Sequence, residues 1–236
     1  MSATAPAGLP LELILRRAGA VLTTRGGRPV VAHFGSGAAE LAVCVRGVGL
    51  VERSDLSMVG LEAPQAQLSA LMTRLAGAAV SPGGLVSGAG AWWCGEAPDR
   101  VIVVCDQRTG GRLVDALHAD AARHVAVRDR SSELTAIGLL GRHTRKVLAA
   151  LGAYGQSLDP RQAKPFARGS IDGVPTSWLL QSDRQALTLV PREQAGEVWL
   201  SIERAGRPFG ISCVGHEAAC RYALMERLRP PTPASL

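Results

Sequence analysis

Few residues in this sequence have types and spacings suited to chemistry. Cys213, His216 and Cys220 form a C-x2-H-x3-C pattern, and in a helix begun at Cys213 all three would share one face, as three soft metal ligands can. A zinc site also wants a fourth ligand or an open catalytic position, and "FGISCVG" puts Cys213 ahead of the helix, so no metal is expected. "GSGAAE" (35–40) has the glycines of a phosphate loop without the Lys-Ser/Thr that should follow, and is set aside. Asp106 closes the run "VIVVCD" at the carboxyl end of a strand, where it either faces a ligand or caps the "QRTGGRL" turn. Trp92 and Trp93 alternate on one strand, so one packs in the core and the other is left to line a pocket. Trp178, on a second hairpin, either packs or stacks on a flat heterocycle. The serines sit on no nucleophile elbow. His33, His118, His124, His143 and His216 are dispersed, so the sequence alone yields no nucleophile–base pair.

The elements that must position these residues follow from periodicity and turn chemistry. "LELILRRAGAVL" reads as a short amphipathic helix or an extended entry, followed by the turn "TTRGGRP". Leu41, Cys44, Val45 and Val48 recur at helical spacing until Gly47 and Gly49 stop them. "LSMVGLEA" alternates as a strand, and Leu68, Leu71, Met72 and Leu75 mark a helix capped by Gly77. "GAGAWWCGE" and "RVIVVCD" make a hairpin about "APD", followed by the helix "GGRLVDALHADAAR" and the strand "HVAVRD". "LTAIGLLG" is a buried strand, and "RHTRKVLAALG" a helix ended by Gly152. "GVPTSWLLQ" and "QALTLVP" form a second hairpin, Pro191 opens the helix "REQAGEVWLSIERAG", and "GHEAACRYALMERL" closes the domain. The order nearly repeats itself, which predicts an α+β protein with helices packed on mainly antiparallel sheets in two related halves. Residues 1–10 and 230–236, mixtures of Pro, Ala and Ser, are expected to be disordered and to flank one domain over 11–229.

Composition sets the outer bounds. The 236 residues are 47% hydrophobic and 19% charged, enough for a substantial core, and with aromatics at 4% that core rests on Leu, Val and Ala. No apolar run approaches the roughly 18 residues that span a bilayer. The first residues lack the basic start of a secretory signal, so a soluble cytoplasmic protein is expected. The five cysteines are odd in number and irregularly spaced, which argues for reduced thiols. The net charge of +6 comes from scattered arginines, which predicts neither a nucleic acid nor a membrane partner.

One stretch carries more. In "GAVLTTRGGRPVVAHFGSGAAELAVCVRGVGLVERSDLSMVGLEAP" the features Gly19-Ala20, Pro29-Val30, Phe34-Gly35, Glu40, Arg46, Gly49-Leu50 and Ser54 follow one another in a specific order. That order resembles the start of the folate-binding domain of the glycine cleavage T protein, the aminomethyltransferase family, over residues 19–64. From 65 to 229 the elements agree but the motifs are weak, and the resemblance stops where the family continues into a C-terminal barrel. The family's Asp-Asp pair before the first central hairpin is replaced by "VSGAGAWW". Its asparagine at the end of the next strand is Asp106. Its Ser-His-Met segment is Ser54-Asp55-Leu56, and its Gly-Tyr-Thr-Gly-Glu-Asp-Gly segment is "WLLQSDRQ". The Arg-Asp-x-Leu-Arg signature survives only as Arg221-Tyr222-Ala223-Leu224.

The resemblance implies tetrahydrofolate as cofactor and one-carbon transfer from a small-molecule amine donor, with positioning as the main contribution of the protein. It implies Asp106 as the catalytic carboxylate, and Asp55, Leu56, Trp93, Asp106, Trp178 and Arg221 around the cofactor. It also implies a partner subunit in place of the barrel, as in heterotetrameric sarcosine oxidases. The lost carboxylates keep a second reading open: a non-catalytic or repurposed relative, such as an assembly subunit, an iron–sulfur maturation helper, or a scaffold for new biosynthetic chemistry.

Overall fold

The computed structural model describes residues 10–119, 125–152 and 164–228. The expected disordered ends, apart from Pro10, lie outside these residues, as does His124. The chain begins with α1 (Glu12–Arg17), shorter than its apolar pattern suggested because Val21 onward enters β1 (Val21–Arg25), which pairs with β2 (Arg28–His33). Next come α2 (Gly37–Arg46), β3 (Val48–Glu52), β4 (Leu56–Glu62), α3 (Gln65–Ala76), β5 (Leu85–Gly88), β6 (Ala91–Ala97) and β7 (Arg100–Asp106). Val48 belongs to β3, since α2 ends at Gly47. Then follow α4 (Gln107–Ala119), β8 (Ala126–Asp129), β9 (Leu134–Leu140), α5 (Thr144–Ala150), β10 (Phe166–Ile171), β11 (Val174–Ser182) and β12 (Gln185–Pro191). Pro191 leads into a single 3-10 turn, then α6 (Ala195–Gly206), β13 (Ile211–Cys213) and α7 (His216–Arg227).

Three tight hairpins explain much of the register. Gly26-Gly27, Ala89-Gly90 and Asp172-Gly173 each join paired strands with positive φ at both central residues, for example 48° and 85° at the last. This conformation matches the right-handed twist of the flanking strands, and Gly and Asp tolerate it best. The strands assemble into a two-stranded ribbon, β1-β2, and two larger sheets, ordered β10-β11-β12-β9-β3-β13 and β5-β6-β7-β4-β8. Pairing is antiparallel throughout except between β13 and β3.

The two larger sheets face each other. Alternation along β4 and β7 sends Leu56, Met58, Ile102 and Val104 between the sheets, where they meet Ala136, Phe166, Leu179, Leu187 and Leu189. Val59, Leu61 and Val103 point the other way, under α3 and α4, with Leu68, Leu71 and Met72. The far face of the six-stranded sheet is covered by α1, α5 and α6 through Leu15, Leu50, Ile137, Val147, Val198 and Trp199. Strands buried on both faces lose their polar alternation, which is why "VIVVC" and "LTAIGLL" read as unbroken apolar runs. Among the described residues no helix is long and apolar enough to cross a membrane.

Candidate functional site

The sequence-named residues are dispersed over three environments. Asp106, exposed at the end of β7, accepts from Thr109 N at 2.9 Å and Thr109 Oγ1 at 2.6 Å, so both its oxygens are engaged in capping α4. Those hydrogen bonds hold its carboxyl below the usual carboxylate range. Trp93 is fully buried beneath α3 and α4, and its Nε1 donates to Gly88 O at 3.1 Å. Trp92, on the opposite face of β6, is the half-buried ring beside the inter-sheet core. Trp178 packs on the helix-covered face of the six-stranded sheet, 3% exposed, with its Nε1 unpartnered. Arg221 is exposed on α7, its Nη1 3.9 Å from where a Cβ on Gly37 would stand. Thus neither Trp93 nor Trp178 presents an open stacking face.

Asp55 and Leu56 occupy the β3–β4 turn, the most heavily charged part of the interior. Arg53 grips Asp55 with two hydrogen bonds, 2.7 and 3.0 Å, and both side chains are largely buried. Burial works to raise the Asp55 pKa, but the Arg53 charge and hydrogen bonds, helped by His216, bring it below the usual range. The tip of the β1-β2 ribbon reaches this turn, where Arg28 donates to the carbonyls of Ser54 and Leu56 at 3.1 and 3.0 Å. Leu56 itself points into the inter-sheet core and pairs with Asp106 across β4 and β7.

Beneath this turn lies a carboxyl group that no local pattern singles out. Glu52, the last residue of β3, is 2% exposed. Its Oε1 accepts from the Ser54 amide at 2.8 Å and from Ser54 Oγ, which also meets Thr135 Oγ1 at 2.8 Å. Its Oε2 has no hydrogen-bond partner. Burial pushes the carboxyl up to about 7, against the pull of the Ser54 hydrogen bonds.

Two cavities open nearby in the fold, and none of the six sequence-named residues lines either. One, of about 310 Å³, lies beside α6 and β13 and is bordered by Phe34, Glu203 and Ser212. The other, of about 240 Å³, opens at the rim of the inter-sheet space, where Glu96, Arg130, Arg168 and Ser177 bring polar groups over Ile102 and Leu189. The Glu96 carboxylate is 11% exposed and 3.8 Å from Arg130. Thr176 Oγ1 is buried without a hydrogen-bond partner, but alternation along β11 puts it with Val174 and Trp178 on the helix-covered face and not in this cavity.

The histidines are dispersed as read, but His216 has a thiol beside it, a pair the sequence reading did not find. One turn along α7, Cys220 Sγ lies 3.1 Å from His216 Nε2. Cys213 stands apart on β13, and no group of three or more His, Cys, Asp or Glu able to hold a metal is present among the described residues.

No protein-family model matches the chain, and no curated protein matches it by sequence. Its fold is nevertheless found among solved structures. The glycine cleavage system aminomethyltransferase T from Bartonella henselae superposes with a TM-score of 0.74 over 95% of this chain, at 16% identity. One chain of the heterotetrameric sarcosine oxidase from Corynebacterium sp. U-96 superposes with a TM-score of 0.57 over 75% of this chain and 93% of its own, at 18% identity. Two facing, mainly antiparallel sheets with helices on their outer faces therefore define an aminomethyltransferase-T-like fold. The chain spans 63% of the length of the Bartonella protein.

Proposed function

We propose that this protein binds a reduced folate, or a pterin built like one, at the rim of the inter-sheet space, and serves one-carbon transfer from an amine-type donor. The observation that carries the reading is the largely buried Glu96 carboxylate at the mouth of this cavity, with Arg130 and Arg168 beside it. A pterin edge presents adjacent N–H donors, which an ionised carboxylate accepts well. At about 240 Å³ the cavity suits a bicyclic ring rather than a whole drug-sized ligand, for which about 300 Å³ or more is usual. The tail of the ligand would then run along the rim, where Arg168 and Arg130 offer charge to its carboxylates. When bound, the folate supplies the one-carbon carrier. The residues of this chain orient the ring, with Glu96 in the role for which the sequence suggested Asp106.

Calorimetric titration with 5-formyltetrahydrofolate tests the reading. Wild-type protein should bind at micromolar concentration. Glu96→Gln should weaken binding about tenfold or more, since an unpaired polar edge costs about 1–3 kcal/mol. Asp106→Ala should leave it unchanged. Absence of heat at millimolar ligand would refute the proposal.

A second reading, a subunit that works through assembly, is favoured by one observation. Leu224 and Met225 on α7 and Leu228 just past its end are 58%, 47% and 76% exposed, an apolar patch of the kind that partners cover. A monomer by light scattering in lysate-matched buffer, unchanged by Leu228→Glu, would count against it.

A further inference from the structure

The charged turn contains a chemical device separate from the inter-sheet cavity. Cys220 is exposed on α7, and its sulfur faces His216 Nε2 at 3.1 Å across one helical turn. The other ring nitrogen, His216 Nδ1, is buried without a hydrogen-bond partner and lies 4.0 Å from Asp55 Oδ2. Asp55 in turn is held by both bonds from Arg53. Thiol, imidazole and carboxylate therefore stand in line on two fixed supports: α7, which carries Cys220 and His216 one turn apart, and the β3–β4 turn. The arrangement has the parts of an activated nucleophile, with a base in reach of it and a carboxylate facing the far side of the base.

Arg25 completes the arrangement. Its Nη1 contacts His216 Nε2 and lies 3.9 Å from Cys220 Sγ. A guanidinium can only donate, so Nε2 must be the accepting nitrogen and Nδ1 the one that carries hydrogen, directed toward Asp55. The charged and titratable groups around the imidazole are Arg25 from β1, Arg53 and Asp55 from the β3–β4 turn, and Glu217 and Cys220 from α7. Glu40 of α2 lies behind them, bound to the amides of Phe34 and Gly215. Burial lowers the His216 pKa, with Arg53 and Arg25 acting in the same sense against Asp55. The ring is thus a neutral base at pH 7.

We propose that Cys220 is a nucleophile that accepts an acyl group from an anionic ester or thioester, with His216 as its base, Asp55 positioning His216, and Arg25 recruiting the substrate. In the resting protein Arg25 occupies the Nε2 lone pair that the thiol needs. An anionic group on the substrate draws the guanidinium away, and the S–H proton passes to Nε2. The sulfur attacks the carbonyl carbon, forming a C–S bond as the bond to the alkoxide or thiolate leaving group breaks. The leaving group takes the proton from His216. The products are S-acyl Cys220 and a free alcohol or thiol, with no change of oxidation state. This site neither depends on nor tests the folate reading.

Acylation and alkylation of the whole chain test the proposal. Among the five cysteines Cys220 is the exposed one. Cys44, Cys94 and Cys105 are buried, and burial raises the Cys213 thiol to about 11, so the reaction with small probes reports Cys220. A p-nitrophenyl ester bearing a carboxylate should release one equivalent of nitrophenol in a burst, with the acyl group recovered on the peptide containing Cys220, and Cys220→Ser should abolish it. An ordinary thiol is only a few per cent thiolate at pH 7, so His216→Asn should slow the reaction about tenfold there. Wild-type rates should level off above about pH 6.5, whereas those of His216→Asn should climb through the ordinary thiol range near 8.5. Asp55→Asn, checked for native circular dichroism, should move the acid limb to lower pH. Arg25→Gln should quicken reaction with neutral iodoacetamide and remove the advantage of iodoacetate. A wild-type rate that climbs through pH 8.5 in parallel with His216→Asn would overturn the proposal, and so would equal rates for wild type and His216→Asn at pH 7.

Discussion

Replacing Glu52 by glutamine should abolish a pH dependence of stability whose size follows from burial. Glu52 is 2% exposed, and its carboxyl is raised from 4.5 to about 7 because the interior disfavours the charged form. The folded protein therefore holds this proton more tightly than the unfolded chain does. The stability it confers is complete below pH 4.5 and is lost as the pH rises through about 7. At about 1.4 kcal/mol per pH unit, that interval corresponds to about 3 kcal/mol. Glutamine keeps an oxygen for Ser54 and has no proton to lose. Urea unfolding of both proteins at pH 4.5 and pH 8 gives four free energies. The difference between wild type and variant should shift by about 3 kcal/mol toward the variant at the higher pH. His216 works in the opposite direction: its lowered pKa adds stability as the pH rises toward 6.5, but it does so in both proteins and cancels in the difference. If the two proteins change in parallel between the two pH values, the proton does not reside on Glu52 and the reasoning fails.

Two further substitutions test the frame. Asp106→Ala should cost about 1 kcal/mol at pH 7 through loss of the α4 cap, by chemical denaturation. Because the hydrogen bonds depress this carboxyl, the wild-type advantage should hold above pH 3.8 and fade as the pH falls below it. Gly173→Val should cost about 1–2 kcal/mol from backbone strain alone: φ is +85° at that turn, and no atom lies within 4 Å of where the new Cβ would stand.

How much of this was legible beforehand depended on distance along the chain. The strands β4, β6, β7, β8, β9, β11 and β12 were legible because an apolar run or alternation and the turns beside them are local signals. β1, β2, β3, β5, β10 and β13 went unread: β5 and β13, at four and three residues, are too short to display a period, β1 and β10 are largely polar, and β3 continues the apolar spacing of α2. The alternation of Trp92 and Trp93 announced that one ring would be buried. Which one was settled by α3 and α4 arriving on the Trp93 face, and a period of two cannot encode that choice. Asp106 carried both its readings in sequence, and Thr109, three residues on, decided for the cap. Glu52 sits in "VGLVE" like any strand end, and its burial comes from β9 and the ribbon folding over it. The H-x3-C spacing in α7 was visible, but its meaning came from Arg25 and Asp55, which local pattern cannot bring to the last helix.

The parallel pairing of β13 with β3 has a consequence for synthesis. The five-stranded sheet draws on one continuous stretch, residues 56–129, so it can close while the rest of the chain is still being made. β3, which precedes that stretch, lies between β9 and β13 and must wait for both. Until Ile211–Cys213 arrives, one edge of an apolar strand stays open to any passing chain. The early half of this protein thus emerges as a nearly finished unit tethered to an unfinished one, and the interval before β13 docks is when it is most exposed to aggregation.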